Sequence, residues 1–203
     1  YMLRDRADIG EIQRNREEVV INACYPYKTQ FSDVICIENQ FSTDEDSICQ
    51  PSRSISFQGQ GAPISITRVE PFLAPAGLSD VEAVNVDIFG GGQQTTDTVQ
   101  SQSFVPYFKF YIRNRGSGSP SLSPLTRCDE PAEQNALEFS AYLDGEELDC
   151  QDFFFSNGQA EVTCNYVGEP LVMRTNYQAL LTANITYDYS QTWTKEITLH
   201  QRP

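Results

Sequence analysis

The chain has 203 residues, 28 of them acidic and 14 basic, for a net charge of −14. So acidic a surface excludes phosphate-backbone binding, which needs clustered Lys and Arg, and it repels anionic lipid. Hydrophobic residues make up 39%; that is enough to build a core in one large domain or two small ones, and it excludes a chain disordered throughout.

Residues 1–23 read as an N-terminal arm or short helix. Leu3, Ile9, Ile12, Val19 and Val20 are spaced irregularly among Arg, Asp and Glu. Arg4–Arg16 therefore suits a polar helix or extended arm, and Glu18–Ala23 the start of a strand. Residues 24–61 carry Cys24, Cys36 and Cys49 among Gln, Ser and Asp. They read as a cysteine-rich loop segment with short strands, ended by the turn-forming Gly59-Gln-Gly-Ala-Pro63.

Residues 62–203 run strand after strand. Ile64 and Ile66 alternate with polar residues, then Val84, Val86 and Ile88, then Phe108, Phe110 and Ile112. Leu137, Phe139, Ala141 and Leu143 follow, then Ala160, Val162 and Cys164. Tyr177 to Tyr187 is the longest alternating run, and Trp193, Lys195, Ile197 and Leu199 close the chain. Period-two alternation bounded by turn residues marks half-buried antiparallel strands. No helical pattern alternates with them, which argues against a parallel α/β sheet. The expectation is an all-β fold, an antiparallel immunoglobulin-like β-sandwich over 62–203. Trp193 follows every cysteine, so the Cys…Trp…Cys spacing of antibody domains is not met.

Six cysteines, Cys24, Cys36, Cys49, Cys128, Cys150 and Cys164, include no C-x-x-C pair. Zinc ribbons, thioredoxin-type redox and c-type haem attachment thus lack their signature. Three disulfides in an oxidising compartment are expected, hence an extracellular or cell-surface location. No stretch approaches the roughly 20 apolar residues of a membrane span, and no signal peptide is present. Export together with an opening Tyr1 suggests a leader or membrane anchor upstream of residue 1. Asp144-Gly145 and Asn157-Gly158 are hairpin dipeptides. The second folds 150–156 back on 159–164 and brings Cys150 to Cys164. Proximity in sequence next favours Cys36–Cys49, which leaves Cys24–Cys128 to tie the first segment to the sandwich.

Signals for chemistry are sparse. His200 is the single histidine, without a neighbour that would poise it as a base or metal ligand. Gly90-Gly-Gly92 follows a strand but is not succeeded by a helix carrying Lys, so it reads as a turn. Glu146, Glu147, Asp149 and Asp152 could pair as hydrolytic carboxylates, yet they fall in a turn region where solvation is the default. Asp44-Glu-Asp46 lacks the calcium-loop pattern. Tyr107, Tyr111, Tyr142, Tyr187, Tyr189 and Trp193 include several on the presumed outer face, where aromatics serve packing, subunit contact or sugar binding. Asn184-Ile-Thr186 is a glycosylation sequon on the polar side of its strand. No catalytic residue, cofactor or metal is expected.

Gly59-Gln-Gly-Ala-Pro-Ile-Ser-Ile-Thr-Arg-Val-Glu70, Phe108-Lys-Phe-Tyr-Ile-Arg-Asn-Arg-Gly-Ser-Gly118, Leu143-Asp-Gly-Glu-Glu-Leu-Asp-Cys150 and the closing Tyr177–Leu199 strands together resemble archaeal exported cell-surface proteins of β-sandwich fold. The resemblance spans residues 59–200 and rests on an Ile-Arg-Asn-x-Gly strand end and a strand-turn-Cys hairpin. It implies a protein tethered to a membrane or assembled at the cell surface, with no catalytic residue. The function expected is a non-enzymatic structural subunit of a surface filament or envelope. Copies would associate through strand contacts, with Glu18–Asn22 as a candidate donor strand. The alternative is an anchored adhesion or binding module for glycan or protein.

Overall fold

The computed structural model describes residues 15–37, 49–75, 104–121, 137–169 and 177–199. Every regular element among them is an antiparallel strand: β1 (Asn15–Ile37), β2 (Ile55–Ser56), β3 (Ile64–Pro75), β4 (Phe104–Asn114), β5 (Ser119–Ser121), β6 (Glu138–Leu143), β7 (Glu146–Cys150), β8 (Gln159–Tyr166) and β9 (Tyr177–Leu199). They form one sheet in the order β1-β9-β6-β7-β8-β4-β3-β2, with β5 also paired to β9. The β6–β7 hairpin turns at Asp144 and Gly145, both with positive φ (51° and 88°), the two-residue turn whose twist matches antiparallel strands. There the sheet passes from the half containing β1, β9, β6 and β5 to the half containing β7, β8, β4, β3 and β2.

The sheet curls so that the apolar faces of its two halves meet. Phe31, Ile35 and Ile37 of β1 and Ala179, Leu181, Ala183, Ile185 and Tyr187 of β9 are buried from one side. Ile64, Ile66 and Val69 of β3, Phe108, Phe110 and Ile112 of β4, and Val162 of β8 are buried from the other. Each such large side chain contributes about 1.5–3 kcal/mol by leaving water. The rings of Phe110 and Phe139 cross the interface edge to face at 5.1 Å, and those of Phe31 and Phe57 at 4.8 Å.

Two tyrosines of β9 lock the halves together. Tyr187 is wholly buried; its hydroxyl accepts the Ile64 N–H at 3.1 Å and lies 3.2 Å from Thr29 Oγ1, which donates to the Ile64 carbonyl at 2.8 Å. Burial raises the Tyr187 pKa, with these hydrogen bonds opposing part of that rise. The Tyr189 hydroxyl accepts the Gly118 N–H at 2.8 Å and donates to Asn114 Oδ1 at 3.1 Å, and the Asn114 amide donates to the Gly118 carbonyl at 2.8 Å. This explains the Ile112-Arg-Asn-Arg-Gly-Ser-Gly118 segment. A Cβ at Gly116 would collide with the Tyr189 hydroxyl, and one at Gly118 with the Ser190 carbonyl.

The strand expected to start over Glu18–Ala23 is present, and the helix or arm expected over Arg4–Arg16 lies almost wholly outside the described residues. The segment from Cys24 is corrected: β1 runs unbroken across residue 23 to Ile37, where loops and short strands were expected. Its cysteines and its Gln, Ser and Asp residues resemble a loop in isolation, and the strand also holds Pro26. An edge strand tolerates proline, and the polar side chains Lys28, Gln30 and Ser32 alternate on the solvent side of a half-buried strand. Residues 1–14, Asp44–Asp46, Val84–Gly92, Cys128 and His200 lie outside the described residues.

Cys36 pairs with Cys49, and Cys150 with Cys164 directly across the β7–β8 pairing. Cys24 is also disulfide-bonded; the pairing expected with Cys128 lies outside the described residues.

Candidate interaction surface

β1 and β9 pair over their whole length, from Asn15 opposite Leu199 to Ile37 opposite Tyr177. Residues opposite each other share a face, and faces alternate along each strand. Odd-numbered residues of both strands therefore face the core side, and even-numbered ones the solvent side. β6 covers the far edge of β9 from Leu181 to Thr186, and β5 from Asp188 to Ser190. Beyond Ser190, β9 pairs only β1 among the described residues. Residues 15–23 and 191–199 thus form a two-stranded ribbon that extends past the curled body.

The core face continues onto this ribbon, where no second layer covers it among the described residues. Tyr25, Tyr27, Tyr187 and Tyr189 pack ring against ring at 5.6–6.2 Å where the body ends. Next come Ala23, Ile21, Val19, Trp193 and Ile197 on the same face, with Ile21 directly opposite Trp193. Ile21 is 57% exposed and Trp193 46%. The even face is mostly polar: Arg16 pairs with Glu196 at 3.4 Å and Thr192 donates to Asn22 at 2.8 Å, with Val20 exposed between them. The odd face carries Glu17 and Lys195, neither in an ion pair among the described residues. The outer edge of β1 has no strand beside it among the described residues.

Trp193 thus lies on the exposed ribbon, while Tyr187 and Tyr189 are core residues rather than outer-face ones. Tyr107 is half-buried and stacks on Phe72 at 5.3 Å. Tyr111 lies under the Arg68 guanidinium at 3.7 Å and donates to Glu70 at 2.7 Å. Lys109 meets Glu161 at 2.5 Å, and this hydrogen bond raises its pKa. Asn184 is half-buried on the solvent side and accepts a 3.3 Å hydrogen bond from Gln30. The expected donor residues Glu18–Asn22 are already paired to β9 within the chain.

Glu146 and Glu147 alternate across β7, Glu146 accepts the Tyr166 hydroxyl, and Asp149 and Asp152 are exposed. Among the described residues no group of three or more His, Cys, Asp or Glu could hold a metal ion. A shallow groove of about 360 Å³ beside the Asn157-Gly158 turn is lined by Arg68, Arg113, Phe154 and Glu161. Phe154, at 89% exposure, was not singled out from the sequence; nothing in its local pattern separates it from the buried Phe155. The exposed pairing of Ile21 with Trp193 was missed as well, although the shared parity of Val19, Ile21, Trp193 and Ile197 carried the signal. Comparison with protein-family models, curated proteins and solved structures finds no match to this chain.

Proposed function

We propose that the chain is a non-enzymatic extracellular structural protein, a subunit of a cell-surface filament or envelope assembly built by β-strand contacts between copies. One observation carries this: β1 has an outer edge without a strand beside it among the described residues, flanked only at Asp33–Cys36 by residues 49–56. Such a row of backbone donors and acceptors is a template for a strand of another chain. Within this reading the curled sheet is an immunoglobulin-like sandwich, and the disulfides belong to an oxidising compartment. Asn184 carries a glycan, and the chain is kin to exported archaeal surface proteins.

Electron microscopy of the purified chain at high concentration tests it. Regular filaments or sheets are expected. Lysine is a residue that blunts sheet edges, so Val20→Lys with Val34→Lys, both on the solvent face beside the β1 edge, should suppress growth without touching the core. Dispersed monomers under all conditions would sink the proposal. A second function, an anchored module that binds glycan or protein, is favoured by Phe154 beside Arg68 and Arg113. Glycan-array binding abolished by Phe154→Ala would support it.

A further inference from the structure

We infer that the apolar face of the β1/β9 ribbon seats the same face of a second copy, around a two-fold axis that sets the two ribbons antiparallel. The inference rests on the assembly function proposed above and names one of its contacts. Four observations carry it. First, a two-stranded ribbon in water is marginal without a third strand or a covering layer, yet 15–23 and 191–199 pair along their full length. Second, the stripe Val19, Ile21, Ala23, Trp193, Ile197 prolongs the core face itself. A second ribbon laid on it continues the layer that β3 forms over the body, where Thr29 meets Ile64.

Third, the charges suit a copy of the same chain. The molecule carries −14, but the ribbon holds Arg16 and Lys195 against Glu17, Glu18 and Glu196, so it is nearly neutral and can approach its own kind. On the contact face the two charges are opposite, Glu17 and Lys195. A two-fold axis at residues 18 and 196, one step toward the tip from the ribbon's middle, sets Glu17 of one copy beside Lys195 of the other and makes that pair twice, whereas an axis at the middle would set Lys195 against Lys195. Fourth, the area fits a reversible contact. With that axis 15–21 and 193–199 overlap, about 23 Å of strand, and a two-stranded face is about 10 Å wide. Closing two such faces buries about 450 Å² in total, below the 1,200 Å² or so of a stable complex, so the contact is weak and reversible.

Other occupants fit less well. Across the ribbon Trp193 faces aliphatic Val19, Ile21 and Ala23, its neighbour Gln191 already donates to Ser117, and the net charge opposes an anionic membrane.

Trp193 is the sole tryptophan of the chain, so its emission reports this face alone. Sedimentation velocity and tryptophan emission of the full chain are followed together from micromolar to millimolar concentration. The expected result is a monomer–dimer step, ahead of any growth at the β1 edge, whose population tracks a blue shift of Trp193. Ile21→Thr with Ile197→Thr, substitutions that keep strand propensity, should weaken it about tenfold. Thr194→Val, on the polar face, should leave it unchanged. Association with unaltered Trp193 emission, or undiminished in a folded Ile21→Thr/Ile197→Thr protein, overturns the inference but leaves strand-mediated assembly standing on another surface. If the double variant does not fold, the wild-type emission decides alone. A monomer at every concentration overturns both. So does a monomer whose Trp193 shifts to the blue only on adding uncharged phosphatidylcholine vesicles, which would assign the face to a lipid surface.

Discussion

Tyr187 and Tyr189 stand two positions apart on β9, and each spends its hydroxyl on backbone from another strand or turn. Tyr187→Phe leaves the buried Ile64 N–H without its acceptor. An orphaned buried donor costs about 1–3 kcal/mol, so denaturant unfolding should show a loss of that size with the fold retained. The same residue sets an alkaline limit. Its pKa is raised by burial, so the folded state keeps the proton that the unfolded state releases near the ordinary tyrosine value. Stability is therefore full below about pH 10 and falls as pH rises through the folded value. Unfolding midpoints measured on both sides of pH 10 should fall for the wild type and fall less for Tyr187→Phe. Gly118→Ala is more damaging than Tyr187→Phe, because its Cβ would strike the Ser190 carbonyl and part β5 from β9. Gly61 has open space around it, so Gly61→Ala costs only the strain of a positive φ, about 1 kcal/mol.

At the scale of elements, legibility followed how local the determining contacts are. The runs Leu137–Leu143 and Tyr177–Tyr187 announced themselves by alternation, because one face of each is core and the other solvent. The Asn157-Gly158 turn and the Cys150–Cys164 disulfide beside it lie within one short stretch, so chain proximity sufficed. β1 was not legible beyond its start at Glu18–Ala23. Its partner lies far along the chain, and its polar residues and Pro26 imitate a loop when the sheet they edge is unseen. The ribbon escaped notice for the same reason, since its meaning depends on where the other half of the sheet stops. Two element-scale outcomes follow. In dilute solution amide exchange should be fast in 16–23 and 191–198 and slow in 29–37 and 179–187, a gradient that hydrogen exchange by mass spectrometry resolves. Replacing both Cys150 and Cys164 with Ala should cost about 3 kcal/mol, the loop-closure value for a bridge of this span.

At the scale of the whole molecule, a conflict between charge and contact decides how copies meet. A net charge of −14 repels two copies before any side chains touch, whereas the ribbon faces attract through apolar burial, which salt does not weaken. Raising ionic strength from about 0.01 to 0.15 M shortens the screening length from about 30 to 8 Å, and association should strengthen accordingly. If the Glu17–Lys195 pairs dominated instead, salt would loosen the contact, so the sign of the dependence separates the two driving forces. Symmetry adds a second constraint. A two-fold contact is self-complementary and closes at two copies; the ribbon face alone cannot build a filament. Growth beyond a pair needs another surface, and the outer edge of β1 is the one the sheet order leaves open among the described residues. Light scattering across a salt series should then separate the steps. Val20→Lys with Val34→Lys should stop growth at the dimer, while Ile21→Thr with Ile197→Thr should remove the dimer itself; filaments of full length from both variants would mean that neither surface carries the assembly.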